Sequence, residues 1–216
     1  MCPSGKNYIK YNKMKLEYSG NIYKFPLDFE MGFCFAEILD FSDISDFDGI
    51  LIKVFGKVVK EKNDDTIGIP EIKKTGIMIG PLPINKYPNA KSKSGWVLYG
   101  KNKDFDRNPP FFKNLRGLLN DNNWANLKPW FKQDRFNEKI EDIQCDYEEV
   151  RNLETMILNH VDSIKIKTTM MKIIENNEDV SKYYDLKKLG NKNLFLQIVN
   201  TYYKKKIAEQ LLATLS

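Results

Sequence analysis

The chain is short of the residues on which much metal, redox and hydrolytic chemistry depends. It has one histidine, His160, which rules out a multi-histidine metal site and a His–His acid/base pair. Its cysteines, Cys2, Cys34 and Cys145, lie far apart with no CxxC pair, so neither a disulfide framework nor a structural zinc site is indicated. Cys34, inside an apolar run, reads as a buried thiol. Zinc-protease, serine-hydrolase-elbow and dinucleotide-binding glycine patterns are missing, and no cofactor is expected. No apolar run approaches the roughly 20 residues that span a bilayer. The opening MCPSGKNYIKYNKMK carries charge with no apolar stretch behind it, so a cytoplasmic protein is expected.

What is present is enough for a folded core. Of 216 residues 42% are hydrophobic and 12% aromatic, which suits one domain with an appendage or two small domains. The net charge is +5, but a composition heavy in Lys, Asn and Ile follows from AT-rich bacterial coding and identifies no ligand by itself. The distribution says more. Residues 25–52 hold Asp28, Glu30, Glu37, Asp40, Asp43, Asp46 and Asp48 with no Lys or Arg, and residues 136–160 are also net acidic. The blocks around them are net basic, so the chain is patterned.

The apolar periodicity predicts a β-rich front and a helical back. Tyr23, Phe25 and Leu27 alternate with Lys24 and Pro26, the pattern of a half-buried strand in which Pro26 marks an edge or a strand end. The turn DFEMG, with Gly32 suited to a positive φ, leads into the strand FCFAEIL and makes a hairpin. ILIKVFGKVV is a third strand with a bulge at Gly56, GIMIG a short strand stopped by PLP, and WVLY another strand. The stretch from NPPFF to PWF has no sustained period and reads as irregular packing over the sheet. After about residue 136 the character changes. Asp146 and Glu149 form a capping-box pair, Val150, Leu153, Ile157 and Val161 follow at helical spacing, and further helices are expected over roughly 165–175 and from Asn191 onward. The expected class is α+β: a bent sheet or small barrel over residues 15–135, then a helical subdomain over 136–216.

Several constellations invite a chemical reading. GWVLYGKN fits the start of a phosphate-binding GxxxxGK loop, but its interior is four bulky strand formers, Trp96 to Tyr99, and Asn102 stands where a magnesium-binding hydroxyl is needed. Asp46 or Asp48 followed by Glu71 and Lys73 is the order of a metal-dependent nuclease, although Pro70 disturbs a strand that would carry Glu71. Cys145 or Ser163 with His160 as base has no supporting motif, and a polar helix flank accounts for His160. Trp96, Trp124 and Trp130, with Lys113, Arg116, Lys128, Lys132 and Arg135, offer base stacking and phosphate contacts over residues 101–135; packed core aromatics are the simpler reading. The acidic segment 25–52 is either a solvated face or a surface complementary to a basic protein.

GNIYKFPLDFEMGFCFAEIL, with the later GWVLYG and NPPFF, resembles the bacterial immunity protein 26 family over about residues 15–118. Gly20, Ile22, Tyr23, Pro26 and Leu27 match its opening strand and Trp96 and Gly100 its later element; Asn21 stands where Asp is usual. The resemblance implies a largely β fold, no catalytic activity, and neutralisation of a protein toxin encoded beside it; independently of it, the acidic hairpin and loop suit an inhibitor of a basic toxin domain, for example a nuclease. On that reading Asp28, Glu30, Asp40, Asp43, Asp46 and Asp48 contact the toxin, while Pro26, Trp96 and Gly100 shape the scaffold. Nucleic-acid binding through residues 101–135 is the alternative, and a metal-dependent nuclease the third.

Overall fold

The computed structural model describes residues 18–41, 49–88, 95–105, 115–117, 130–133, 143–150, 153–154 and 158–213. In chain order the elements are β1 (Asn21–Pro26), β2 (Phe33–Asp40), β3 (Ile50–Val59), α1 (Ile69–Lys74), β4 (Ile77–Ile84), β5 (Val97–Lys101), β6 (Leu115–Gly117), β7 (Trp130–Gln133), β8 (Ile143–Cys145), α2 (Tyr147–Val150), α3 (Val161–Glu175), a 3-10 turn (Val180–Lys182), α4 (Leu189–Tyr202) and α5 (Lys205–Leu212). The architecture is α+β, an antiparallel sheet in the N-terminal half followed by helices.

The main sheet has five strands in the order β4-β3-β2-β1-β5. It is open, because β4 and β5 stand at opposite ends of that order, and it does not close into a barrel. β1 is interior, paired with β2 on one side and β5 on the other, and Pro26 is its last residue rather than an edge marker. The bulge expected near Gly56 is present. Cys34 pairs with Val58 and Ala36 with Val54, so β3 spends extra residues between them. β4 does not stop at PLP; it runs through Pro81 and Pro83 to Ile84, which a strand at the edge of the sheet allows, and its end is bridged on the outer side to Asn159.

Alternation along the strands gives the sheet two covered faces. Tyr23, Phe25, Cys34, Ala36, Ile38, Ile52 and Val54 share one buried cluster with Ile164, Met170 and Ile173 of α3 and with Phe195, Ile198 and Val199 of α4. The helices after residue 161 thus pack their apolar side chains into the same core as the sheet. Ile22, Phe35, Phe55 and Val59 point the other way and pack with Ile72 of α1. On that second face Lys24 is 1% exposed. Its Nζ donates to the Asp64 carbonyl at 2.8 Å and lies 5.5–5.9 Å from the ring centroids of Phe33, Phe35 and Tyr99. Its charge is met by that carbonyl, by the ring faces and by Asp65, whose Oδ1 is 3.6 Å away, and the loop before α1 is held down in return.

Three expectations change. PEIKK is helical, and Pro70 sits in the first turn of α1, where a missing N–H costs nothing. The stretch from NPPFF to PWF supplies β6 and β7, which form a separate three-stranded sheet with β8. Because β8 pairs with β7, a boundary at residue 136 cuts through that sheet. The helix after Asp146 is only four residues long, although its capping pair is real: the Asp146 N–H donates to Glu149 Oε1 at 3.2 Å.

Candidate functional site

The β1–β2 turn is built under strain. Leu27 N–H donates to the Gly32 carbonyl at 2.8 Å, and Gly32 has φ 107°, where a Cβ would stand 2.3 Å from the Val59 carbonyl oxygen. Between them Phe29 and Glu30 take φ of 56° and 55°, two consecutive side-chain-bearing residues in the left-handed region. Each such residue costs about 1–2 kcal/mol, so something must hold them. Asp28 does. Its Oδ1 lies 2.5 Å from Lys165 Nζ, its Oδ2 accepts from Tyr184 Oη at 2.7 Å, and its N–H donates to Thr169 Oγ1 at 3.1 Å. Burial, with the Asp28 carboxylate as the next cause, pushes the Tyr184 phenol above its ordinary pKa, so it stays a donor. Phe29, 49% exposed, rests on Tyr183 and Tyr184 with ring centroids 5.2 and 5.0 Å away. The tip of the hairpin is therefore bolted to α3 and the 3-10 turn, with Phe29 and Glu30 presented to solvent.

Beside it lies a groove of about 500 Å³ between the end of α3, the 3-10 turn, α4 and α5. Its apolar lining includes Ile174, Val180, Phe195, Ile207 and Leu211, and its acidic residues are Glu175, Glu178 and Asp179. Burial and, secondarily, Glu175 push the Tyr203 phenol up to about 12. Lys172 offsets Glu175 at 2.6 Å, and Asp179 is held below the usual carboxylate range by the N–H and hydroxyl of Ser181. Glu178 accepts from the Tyr183 hydroxyl, and the Tyr183 ring touches Phe29. Hairpin tip and groove are thus one continuous surface, apolar in the middle and acidic around it.

The acids expected to contact a partner divide sharply. Asp40 is fully buried, its Oδ2 accepting from Tyr87 Oη at 2.5 Å, and is removed from the surface set. Asp28 is committed to its clamp. Glu30 is exposed, and Asp43, Asp46 and Asp48 lie outside the described residues. Glu37, counted in the same acidic run, is also buried: Lys53 Nζ is 2.6 Å from Oε2 and Asn102 Nδ2 is 2.6 Å from Oε1. Two of the run's acids, Glu37 and Asp40, are therefore internal. Pro26 closes β1, Trp96 is fully buried and stacks on Phe25 at 4.1 Å, and Gly100 leaves room for Ile69 of α1, whose Cδ1 would be 3.2 Å from a Cβ there.

Among the described residues the other constellations do not assemble. Glu71 is on α1 and pairs with Lys57 at 3.0 Å, and among the described residues no group of three His, Cys, Asp or Glu side chains could hold a metal ion. His160 is the N-cap of α3, its Nδ1 accepting from Asp162 N–H. Cys145 packs beside Trp130 and Val150. Trp130 is 3% exposed, a core residue and not a stacking platform, while Trp124, Lys113, Lys128 and Arg135 lie outside the described residues, and for Arg116 and Lys132 only the backbone is described. Trp96 to Tyr99 lead into and form β5, an edge strand with Leu98 58% exposed, and not a phosphate-wrapping loop. No helix among the described residues is long and apolar enough to cross a membrane. Sequence reasoning missed the groove, for which the signal was the amphipathic KKIAEQLL of α5 following the acid-rich NNED turn.

In comparisons with known proteins, no family profile, no curated protein and no solved structure matches this chain.

Proposed function

We propose that this chain is a non-catalytic immunity-type protein, which neutralises a protein toxin by binding it one to one. The observation that carries the reading is the continuous surface of Phe29, Glu30, Tyr183 and the acid-lined apolar groove. An exposed aromatic on a rigid, strained tip is the kind of anchor that concentrates binding energy, and surrounding carboxylates speed encounter with a basic partner and reject an acidic one. The resemblance of Gly20–Leu27 and of Trp96 and Gly100 to the immunity protein 26 family points the same way, and the partner is then a cationic toxin domain encoded beside this chain. Asp43, Asp46 and Asp48 belong to the same reading as further acids.

Growth rescue tests it. Cells expressing the neighbouring toxin domain should grow when the wild-type chain is co-expressed. They should fail with Phe29→Ala combined with Glu30→Lys and Glu178→Lys, at equal levels of folded protein. Rescue by that variant equal to the wild type would remove this surface from the interface, and no rescue by the wild type would remove the immunity reading.

A further inference from the structure

The groove between the end of α3, the 3-10 turn, α4 and α5 carries an electrostatic imbalance. α3 is 15 residues long and ends at Glu175, so its negative dipole end borders the groove. Cations are favoured at such an end, yet Glu175, Glu178 and Asp179 crowd between residues 175 and 179. No lysine or arginine is among the described residues of the lining. Lys172 meets Glu175 at 2.6 Å. Glu178 and Asp179 accept from neutral donors, the Tyr183 hydroxyl and the Ser181 N–H and hydroxyl, and Lys182 adds only a smaller attraction at Asp179. Two carboxylates and a helix C-terminus thus share one rim with no contacting cation among the described residues. The wall beside them is apolar and open to solvent: Ile207 is 44% exposed, near Phe195 and Val180. An occupant that suits both parts combines ammonium groups with apolar side chains.

The chain itself contains such a segment. Residues 1–17, which lie outside the described residues, hold Lys6, Lys10, Lys13 and Lys15 against Glu17 alone, with Tyr8, Ile9, Tyr11, Met14 and Leu16 set among them. The segment joins the fold on the helix-covered side of the sheet. Tyr18 stacks on Tyr87 with ring centroids 4.3 Å apart, and Tyr87 packs against the same buried cluster as Val180 and Phe195. β1, six residues and about 20 Å long, separates that junction from the hairpin tip beside the groove. Seventeen residues reach about 56 Å when extended, enough to cross that distance and lie along the groove. As part of the same chain the segment meets the groove at an effective concentration on the order of millimolar, so a weak fit suffices.

We infer that residues 1–17 dock in this groove, with their lysines against Glu178 and Asp179 and their apolar side chains against Ile207 and Phe195. The protein is then the first occupant of its own site. The consequence for toxin binding rests on the reading proposed above: a cationic toxin must displace the segment, so the groove admits only partners that bind it better than the protein's own chain does.

Paramagnetic broadening in the full chain tests the docking with no toxin present, so its outcome is separate from that of growth rescue. A nitroxide is attached at Cys2 in a Cys145→Ser background, Cys34 being fully buried. Amide signals of Asn177, Glu178 and Ile207 should broaden, and those of Lys73 and Lys74 on α1, across the sheet, should not. Lys10→Glu with Lys13→Glu and Lys15→Glu should abolish the broadening, as should Glu175→Lys with Glu178→Lys. The chain carrying all five changes should recover it. Glu175 and Glu178 are exposed, so the fold should persist, checked by circular dichroism. Absence of broadening at the groove, broadening that survives either charge reversal, failure of the five changes to restore it, or broadening passed from a spin-labelled chain to a separate isotope-labelled chain would each overturn the inference.

Discussion

Replacing Asp28 by Ala isolates the clamp that carries the hairpin tip. Three contacts are at stake: the ion pair with Lys165, the hydrogen bond from Tyr184, and the order they impose on two left-handed residues. The ion pair is worth under about 1 kcal/mol, because both side chains keep about a quarter of their surface in water and solvent screens them. Stranding the partly buried Tyr184 hydroxyl costs about 1–3 kcal/mol more. Asp28→Ala should therefore lower the unfolding free energy by about 2–3 kcal/mol in urea titrations, with an unchanged m-value. Tyr184→Phe alone should cost about 1 kcal/mol, and the double variant should show a coupling of about 1 kcal/mol, since the shared hydrogen bond can be lost only once. A loss under about 0.5 kcal/mol for Asp28→Ala, or additivity of the two changes, would refute the claim that Asp28 holds the tip.

Other consequences follow from particular contacts. Glu37→Ala leaves Lys53 and the Asn102 amide facing an uncompensated buried site and should cost about 3–5 kcal/mol, whereas Glu37→Gln, which keeps the shape, should cost less; chemical denaturation measures both. Gly32→Ala forces a Cβ against the Val59 carbonyl at positive φ, and a midpoint shift equivalent to about 2 kcal/mol or more is expected. Burial raises the Cys34 thiol from 9.0 to about 12, so the folded state holds its proton longer than the unfolded chain. This contribution to stability is intact below pH 9 and falls away as the pH rises toward 12. At pH 8 a disulfide reagent should leave Cys34 unmodified in the native protein and react once urea is added; rapid modification of the native thiol would contradict its burial.

Much of the sheet was legible in the sequence because strand pairing and burial are written into local alternation. The hairpin from Tyr23, the bulge at Gly56 and the strand after Trp96 needed no tertiary information. The Pro residues misled for a physical reason. Pro70 breaks a strand but opens a helix, and Pro81 and Pro83 are tolerated in β4 because it stands at the edge of the sheet. The Val150, Leu153, Ile157 and Val161 spacing mimicked one long helix although α2 ends at Val150 and α3 begins at Val161. In β2, covered on both faces, alternation could not reveal that Glu37 and Asp40 point into the protein. Their partners, Lys53, Asn102 and Tyr87, come from other elements and no local pattern announces them. The groove was hard to read for the same reason: the amphipathic KKIAEQLL of α5 signals an apolar face but not the residues of α3, the 3-10 turn and α4 that it meets.

The most direct test of the acidic, aromatic surface is a paired affinity capture from the host at moderate salt. One bait is the wild-type chain and the other carries Phe29→Ala, Glu30→Lys and Glu178→Lys, with retained proteins quantified by mass spectrometry. A basic, toxin-like domain held one to one by the wild type and lost from the variant is the expected result. Equal retention by both baits, or no basic protein on either, would contradict the account.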